Sequence, residues 1–316
     1  MSQKITYAII AIALLVPSLL VWRGYEKQVR LFGGVKRSVP LDEIVNGGPP
    51  PDGIPPIDHP QFVAIDEAEK FLSEAEIGLA LNYKGRSRFY PFQILVWHEI
   101  VNDLFDDIRV LVTYCPLCRS GIVFDPVVAG ERVEFGTSGK LWNSNLVMYD
   151  RKTHSLWSQV LGEAIVGDMT GTKLKVLASD IIRFGAWKRA FPQGEVLSRN
   201  TGQIRDYGTD PYGNYYTTSG TYFPINHTDN RLDDKELVLG LVVNGHAKAY
   251  YPVAIQRAGK IEDSLAGKII VGEYDTDIEA VRLFEKKPDG TLERLNPVAV
   301  YWFSWAAAHP DTELFK

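Results

Sequence analysis

Apolar and polar positions along most of this chain alternate with the period of a strand, not of a helix. Ile77 to Pro91 reads IGLALNYKGRSRFYP, and Leu239 to Pro252 reads LGLVVNGHAKAYYP. Both carry Gly-Leu, an alternating apolar run, a glycine turn, a basic second run and then Tyr-Pro. This predicts one hairpin pattern used twice. Val110–Val112 and Ile122–Phe124 read as short buried strands, with Pro116 and Gly121 bracketing a turn between them. Helical signals are few and short: Asp66–Leu72, Pro91–Asp103 (which places His98 on a helix) and Phe184–Ala190.

The resemblance between the two stretches extends beyond the hairpins. Glu99 and Asp103 follow the first, as Glu262 and Asp263 follow the second, each ahead of an apolar strand. Aromatic tails beginning at Phe184 and Trp302 also match. The expected fold is therefore α+β, a β-rich body built from two related, duplicated halves, residues 57–200 and 201–316. The first half alone carries cysteine, and it holds an extra block, residues 136–180, that has no counterpart in the second.

The N-terminus follows a different pattern. Ile5 to Trp22 runs without a charge, and nothing after it resembles a cleavage site. Residues 1–23 are expected to be one transmembrane helix, a single-pass anchor, followed by a Pro/Gly-rich linker over 24–56. Lys4 precedes the run, whereas Arg23, Lys27 and Arg30 follow it, so a literal charge count puts the body in the cytoplasm. A formal charge of −5 and a pI near 5.7 argue against nucleic acid as a partner.

Chemistry concentrates in TYCPLCRSGIVFD, Thr113 to Asp125, which holds both cysteines of the chain. The spacing of Cys115 and Cys118 lets two sulfurs share a soft metal ion or close a short disulfide. Four-thiolate zinc is excluded, because a second cysteine pair does not exist. A two-thiolate site completed by His98 or Met148 suits copper(I), which favours sulfur. Three readings stay open: a copper clip, a redox pair with His98 or Arg119 stabilising a thiolate, and a disulfide that only staples the turn.

After Gly136 the pattern predicts a further hairpin, turning at Asp150–Thr153 and presenting Met148, Asp150, Arg151, Trp157 and Gln159. An Asp150–Arg151 ion pair at the turn is the plainest account of those two charges. The tyrosine-rich loop Arg205–Tyr216 adds Tyr207 and Tyr212. Asp150, Arg151, Trp157, Gln159, Tyr207 and Tyr212 are expected to line a pocket beside the thiols. Paired carboxylates, a nucleophile elbow and a phosphate-binding glycine loop are not found, so the sequence assigns no catalytic residue.

The segments DGIPPIDHPQF, WHEIVND, TYCPLC, SGKLWNSNLVMYDRKTHSLWSQ, RDYGTDPYGNYY and KELVLGLVVNGHAKAYYP together resemble the DUF3179 family of uncharacterised proteins. The resemblance runs from about Asp52 to Pro252. It implies an N-terminal export or anchor segment and hence an extracytoplasmic body, against the literal charge count. It brings no activity. The leading expectation is a membrane-anchored extracytoplasmic protein that binds copper through Cys115 and Cys118, with a protein partner for metal or electron transfer. A thiol–disulfide oxidoreductase and a non-catalytic interaction module are the alternatives.

Overall fold

The computed structural model describes residues 34–316 and the backbone of residues 30–32. The expected anchor lies outside the described residues; among those described, no helix is long and apolar enough to cross a membrane. The body is β-rich, with few and short helices.

Two hairpins organise it. Ile77–Tyr83 pairs with Arg86–Pro91, and Leu237–Val243 pairs with His246–Tyr250. Both turns are two residues long with positive φ at each position, 50° and 80° at Lys84 and Gly85, 49° and 84° at Asn244 and Gly245. That geometry matches the twist of the flanking strands, and glycine in the second position makes it accessible. Each hairpin is then flanked alike. An antiparallel strand lies beside its first strand (Ser179–Arg183, Val298–Tyr301) and a parallel strand beside its second (Glu195–Leu197, Glu313–Phe315). A helix of the same length joins each flanking pair: Phe184–Ala190 and Trp302–Ala308.

A three-stranded meander follows each hairpin. Ile100–Phe105, Ile108–Cys115 and Ser120–Asp125 form the first, Lys260–Leu265, Lys268–Asp275 and Ala280–Lys286 the second. The first meander joins the second hairpin's sheet through the Gly121–Ala299 bridge. A buried polar cluster recurs in both halves. Arg88 pairs with Asp103 at 2.7 Å and with Glu195 at 3.2 Å; Lys248 pairs with Asp263 at 2.7 Å and with Glu313 at 3.3 Å.

The hydrogen bonds also correct the sequence matching. Tyr83 and Arg86 flank the first turn as Val243 and His246 flank the second, so Leu79 corresponds to Leu239, not Leu241. By the same spacing Glu99 corresponds to Gly259, not Glu262. The Glu99 carbonyl accepts from the Tyr114 amide (2.7 Å), and the Gly259 carbonyl accepts from the Tyr274 amide (3.0 Å).

The extra block forms most of a seven-stranded sheet, with Phe135–Trp142, Asn145–Asp150, Leu156–Ser158 and Glu163–Val166 adjacent. Residues expected as linker complete it. Val35–Arg37 and Ile44–Asn46 pair onto its two sides, and the proline segment after them continues along the edge of Phe135–Trp142, with Asp52 bonded to Thr137 and Tyr149. Proline and glycine forecast irregular backbone there, and the unpaired strand edges account for the packing. The helix expected over Pro91–Asp103 is confined to Phe92–Leu95; the chain reverses at Glu99 and enters a strand at Ile100.

Candidate functional site

The strand Ile108–Cys115 ends in a short 3-10 turn, Pro116–Cys118, and Arg119 takes φ +48° to start the return strand. Both cysteines are free and buried, Cys115 at 1% exposure and Cys118 at 0%. The second half supplies an internal control. At the equivalent turn Asp275 stands for Cys115 and Ile278 for Cys118, and Glu279 repeats the positive φ at 55°. There the Asp275 carboxylate accepts from the amides of Asp277 (3.0 Å) and Ile278 (3.4 Å). The turn therefore forms without sulfur at either position.

The surroundings of Cys118 come from three elements. Asn145 donates to its Sγ at 2.8 Å from the extra block, and Ser120 Oγ lies 3.1 Å away. Gln159 fixes both neighbours: its Oε1 accepts from Ser120 Oγ (2.6 Å) and from Asn145 (2.9 Å). Its amide donates to Thr113 Oγ1 (3.0 Å) and to the Ser120 carbonyl (3.1 Å). The Asn145 Oδ1 is in turn held by the Val160 amide. Only one proton in this network is free to choose. Ser120 has a single hydroxyl hydrogen, which points to Gln159 when Cys118 is a thiol and to sulfur when it is a thiolate. Both states are hydrogen-bonded: when the sulfur proton leaves, rotation of the Ser120 hydroxyl supplies a donor to the thiolate, and Gln159 keeps the Asn145 amide.

The two thiols are consequently unequal. Burial opposes charge on Cys118, but hydrogen bonds from Cys115, Ser120 and Asn145 outweigh it and lower its pKa. Burial, followed by the adjacent Cys118, pushes Cys115 well up. Glu99, whose carbonyl accepts from the Tyr114 amide beside Cys115, is 7% exposed and in a left-handed backbone conformation at φ +59°. Burial raises its carboxyl to about 8, and the charge of Cys118 adds to the shift. A residue with a side chain in that conformation costs on the order of 1 kcal/mol, which Gly259 in the other half avoids.

Of the expected metal ligands, the structure brings only the two cysteines together. His98 Nδ1 donates to the Pro55 carbonyl and its Nε2 accepts from the Tyr207 hydroxyl, both at 2.7 Å, and burial lowers the pKa of the ring. Neither nitrogen is left for a metal. Met148 lies on the face of its strand opposite Asn145, packed as the cross-strand partner of Trp157. Among the described residues no group of three or more His, Cys, Asp and Glu side chains is placed to share a metal ion. The residues present supply two thiolates for copper, and no completing donor from the expected set.

The expected pocket residues divide. Gln159 is inside the thiol network. Tyr207 lines a cleft of about 610 Å³ together with Tyr114, Arg119, Asp210 and Tyr216, so the chain neighbours of both cysteines open onto it. Tyr212 feels the charges of Glu99 and Cys115. Asp150 and Trp157 form a buried pair elsewhere (2.9 Å), with Asp150 also capping the turn at Thr153. The expected Asp150–Arg151 ion pair does not form: Arg151 binds Asp58 and Glu134 at 2.9 Å, because the turn points it toward the proline-rich segment. Ser120, Asn145 and Tyr215 were not singled out by the sequence, since nothing local marks a polar residue for a partner on another sheet.

Tyr215 closes the site. Its hydroxyl donates to the Leu117 carbonyl at 2.7 Å, and Lys235 Nζ sits 3.6 Å above its ring. Removing that hydroxyl in Tyr215→Phe will cost the closed loop about 1 kcal/mol and raise its open population about fivefold. Alkylation of the reduced thiols by a small maleimide should accelerate by that factor. Equal labelling rates would show that the loop does not gate the site.

Residues 51–312 match the family described as Protein of unknown function (DUF3179). The chain belongs to the DUF3179 family. The matched span takes in both hairpins, the thiol turn, Glu99 and the tyrosine loop, so the whole candidate site lies within the DUF3179 region. Neither a curated protein nor a solved structure matches the chain.

Proposed function

We propose that Cys115 and Cys118 form a dithiol–disulfide couple that exchanges electrons with a thiol- or disulfide-bearing partner. One observation carries this reading: hydrogen-bonding groups from Ser120, Asn145 and Cys115 converge on the sulfur of Cys118 alone. That asymmetry prepares one thiolate to attack and one thiol to resolve. It is what exchange needs, whereas a two-sulfur metal clip needs both thiols ionised. In this reading the body is carried on an N-terminal anchor, residues 1–23, on the extracytoplasmic side, and it arose by duplication with chemistry retained in one half. The matched hairpins, turns and flanking strands support the duplication.

The test is thiol counting on the full chain in glutathione buffers of graded potential. Wild type should gain and lose both thiols together, while Cys115→Ser and Cys118→Ser stop at a mixed disulfide or do not react. About one copper ion per chain, lost in either serine variant, with no exchange by wild type, would replace this reading with the copper clip.

A further inference from the structure

The cleft beside the thiol turn has a counterpart in the second half, and the two differ in how their charges are met. By the spacing that matches the hairpins and the turns, Ile77, Phe92, Tyr114 and Arg119 correspond to Leu237, Pro252, Tyr274 and Glu279. The first four line the cleft of about 610 Å³; the second four line a smaller one of about 180 Å³. In the smaller cleft the chain itself supplies every partner. Asp180 accepts from Nη2 of Arg282 at 2.8 Å and from Nη2 of Arg294 at 2.6 Å, and Glu279 pairs with Arg189 at 2.9 Å. One carboxylate thus sits between two arginines.

The larger cleft also has two arginines, and it lacks that carboxylate. Arg119 is half-buried and reaches the Tyr301 hydroxyl at 3.5 Å and the face of the Tyr216 ring. Arg199 is half-buried against the Phe71 ring, and its Nη2 donates to the Phe71 carbonyl and to Gln93. Among the described residues neither arginine forms an ion pair. The Arg199 Nε and the Tyr216 hydroxyl are buried without a hydrogen-bond partner. Donors left unpaired in this way are costly, so an acceptor arriving in the cleft meets groups that nothing else satisfies.

Two acids line the same cleft. Asp210 is exposed and accepts from the Tyr212 amide at 2.8 Å, and burial raises the Glu76 carboxyl above its ordinary value. Both repel a doubly charged phosphate more than a singly charged carboxylate. The walls are aromatic: Phe92 stacks on Tyr114 with centroids 4.1 Å apart, and Phe71 lies under Arg199. A cleft of this size and lining suits a small molecule.

We propose that this cleft binds a small aromatic carboxylate, its charge held by Arg119 and Arg199 and its ring against Phe71, Phe92 and Tyr114. The guanidinium fork matches the two oxygens of a carboxylate, as Asp180 already illustrates between Arg282 and Arg294. Binding requires no reaction at the thiols, so the site stands whether or not Cys115 and Cys118 exchange electrons.

The test is a ligand-observed NMR titration of the full chain with phenylacetate. Phenylacetate should bind, and phenethylamine, which carries an ammonium in place of the carboxylate, should not. Arg199→Gln should weaken phenylacetate at least tenfold, the scale of a lost charge-assisted hydrogen bond. Arg119→Glu copies Glu279, which holds the same left-handed backbone, and should abolish binding. Arg257→Gln, at an exposed arginine outside the cleft, should change nothing. Urea midpoints show which variants fold; where one does not, the wild-type contrast between phenylacetate and phenethylamine decides alone. Absence of phenylacetate binding, equal binding of phenethylamine, or unchanged affinity in folded Arg119→Glu and Arg199→Gln would overturn the proposal. Tighter binding of phenyl phosphate than of phenylacetate would overturn the choice of a carboxylate.

Discussion

Asp103→Ala should cost the fold about 3–5 kcal/mol, the range for breaking a buried ion pair by removing one partner. The substitution leaves Arg88, whose side chain is 7% exposed and whose Nη1 contacts both Asp103 oxygens at 2.7–2.8 Å, with only the partly exposed Glu195 and the Leu104 carbonyl. It also removes the acceptor of the Tyr90 hydroxyl (2.6 Å) and of the Leu104 amide (2.7 Å). Stacking of the guanidinium between Phe62 and Phe105, with ring centroids at 4.0 and 4.4 Å, keeps water from replacing the lost carboxylate. The equivalent change in the second half, Asp263→Ala, should cost about 1–2 kcal/mol. There the aspartate side chain is 19% exposed, against 2% for Asp103, so water can replace it. Urea unfolding of the two variants measures the difference directly. Equal losses would mean that burial does not set the strength of these pairs.

The second large effect is a dependence of stability on pH that traces to Glu99. In the unfolded chain this carboxyl ionises near its ordinary value of 4.5, and in the folded protein near 8. The folded state therefore binds the proton more tightly. The stability this contributes is fully present below about pH 4.5 and is lost as pH rises through about 8. At about 1.4 kcal/mol per unit, the loss is on the order of 4–5 kcal/mol for this one group. Glu99→Gln abolishes that dependence. It should match wild type in acid and exceed it increasingly toward alkaline pH, with a plateau above pH 8. Denaturant unfolding at several pH values checks this; a constant difference between the two proteins would show that the carboxyl is solvated and not buried.

The two effects differ in how far the sequence foretells them. Arg88 and Lys248 sit on the basic second strands of the matched hairpins, and Asp103 and Asp263 follow at equal intervals, so the charges were visible as a repeated pattern. That they meet in the core was not, because pairing of the meander with the hairpin region depends on contacts distant in sequence. For Glu99, local matching of Gly-Leu and Tyr-Pro placed it opposite Glu262 and hid its singularity. The hydrogen bonds of the following strands place it opposite Gly259 instead, and only then does a glutamate at positive φ stand out.

Alternation and turn chemistry in this sequence were sufficient for the two hairpins, the strand before Cys115, the turn at Asp150–Thr153 and the helix Phe184–Ala190. These depend on residues a few positions apart, and their periodicity is written locally. The CxxC spacing likewise put two thiols on one turn. Tertiary structure alone decided what those thiols are. Asn145 reaches Cys118 from another sheet, Gln159 holds Asn145 and Ser120 in place, Glu99 stands where the chain reverses after a curtailed helix, and Tyr215 covers the turn from a loop a hundred residues on. It also took His98 and Met148 away from the sulfurs, by giving one two hydrogen bonds and the other the opposite face of a strand. The proton affinity of a buried group is set by which dipoles and charges surround it, and those neighbours are assembled only by folding.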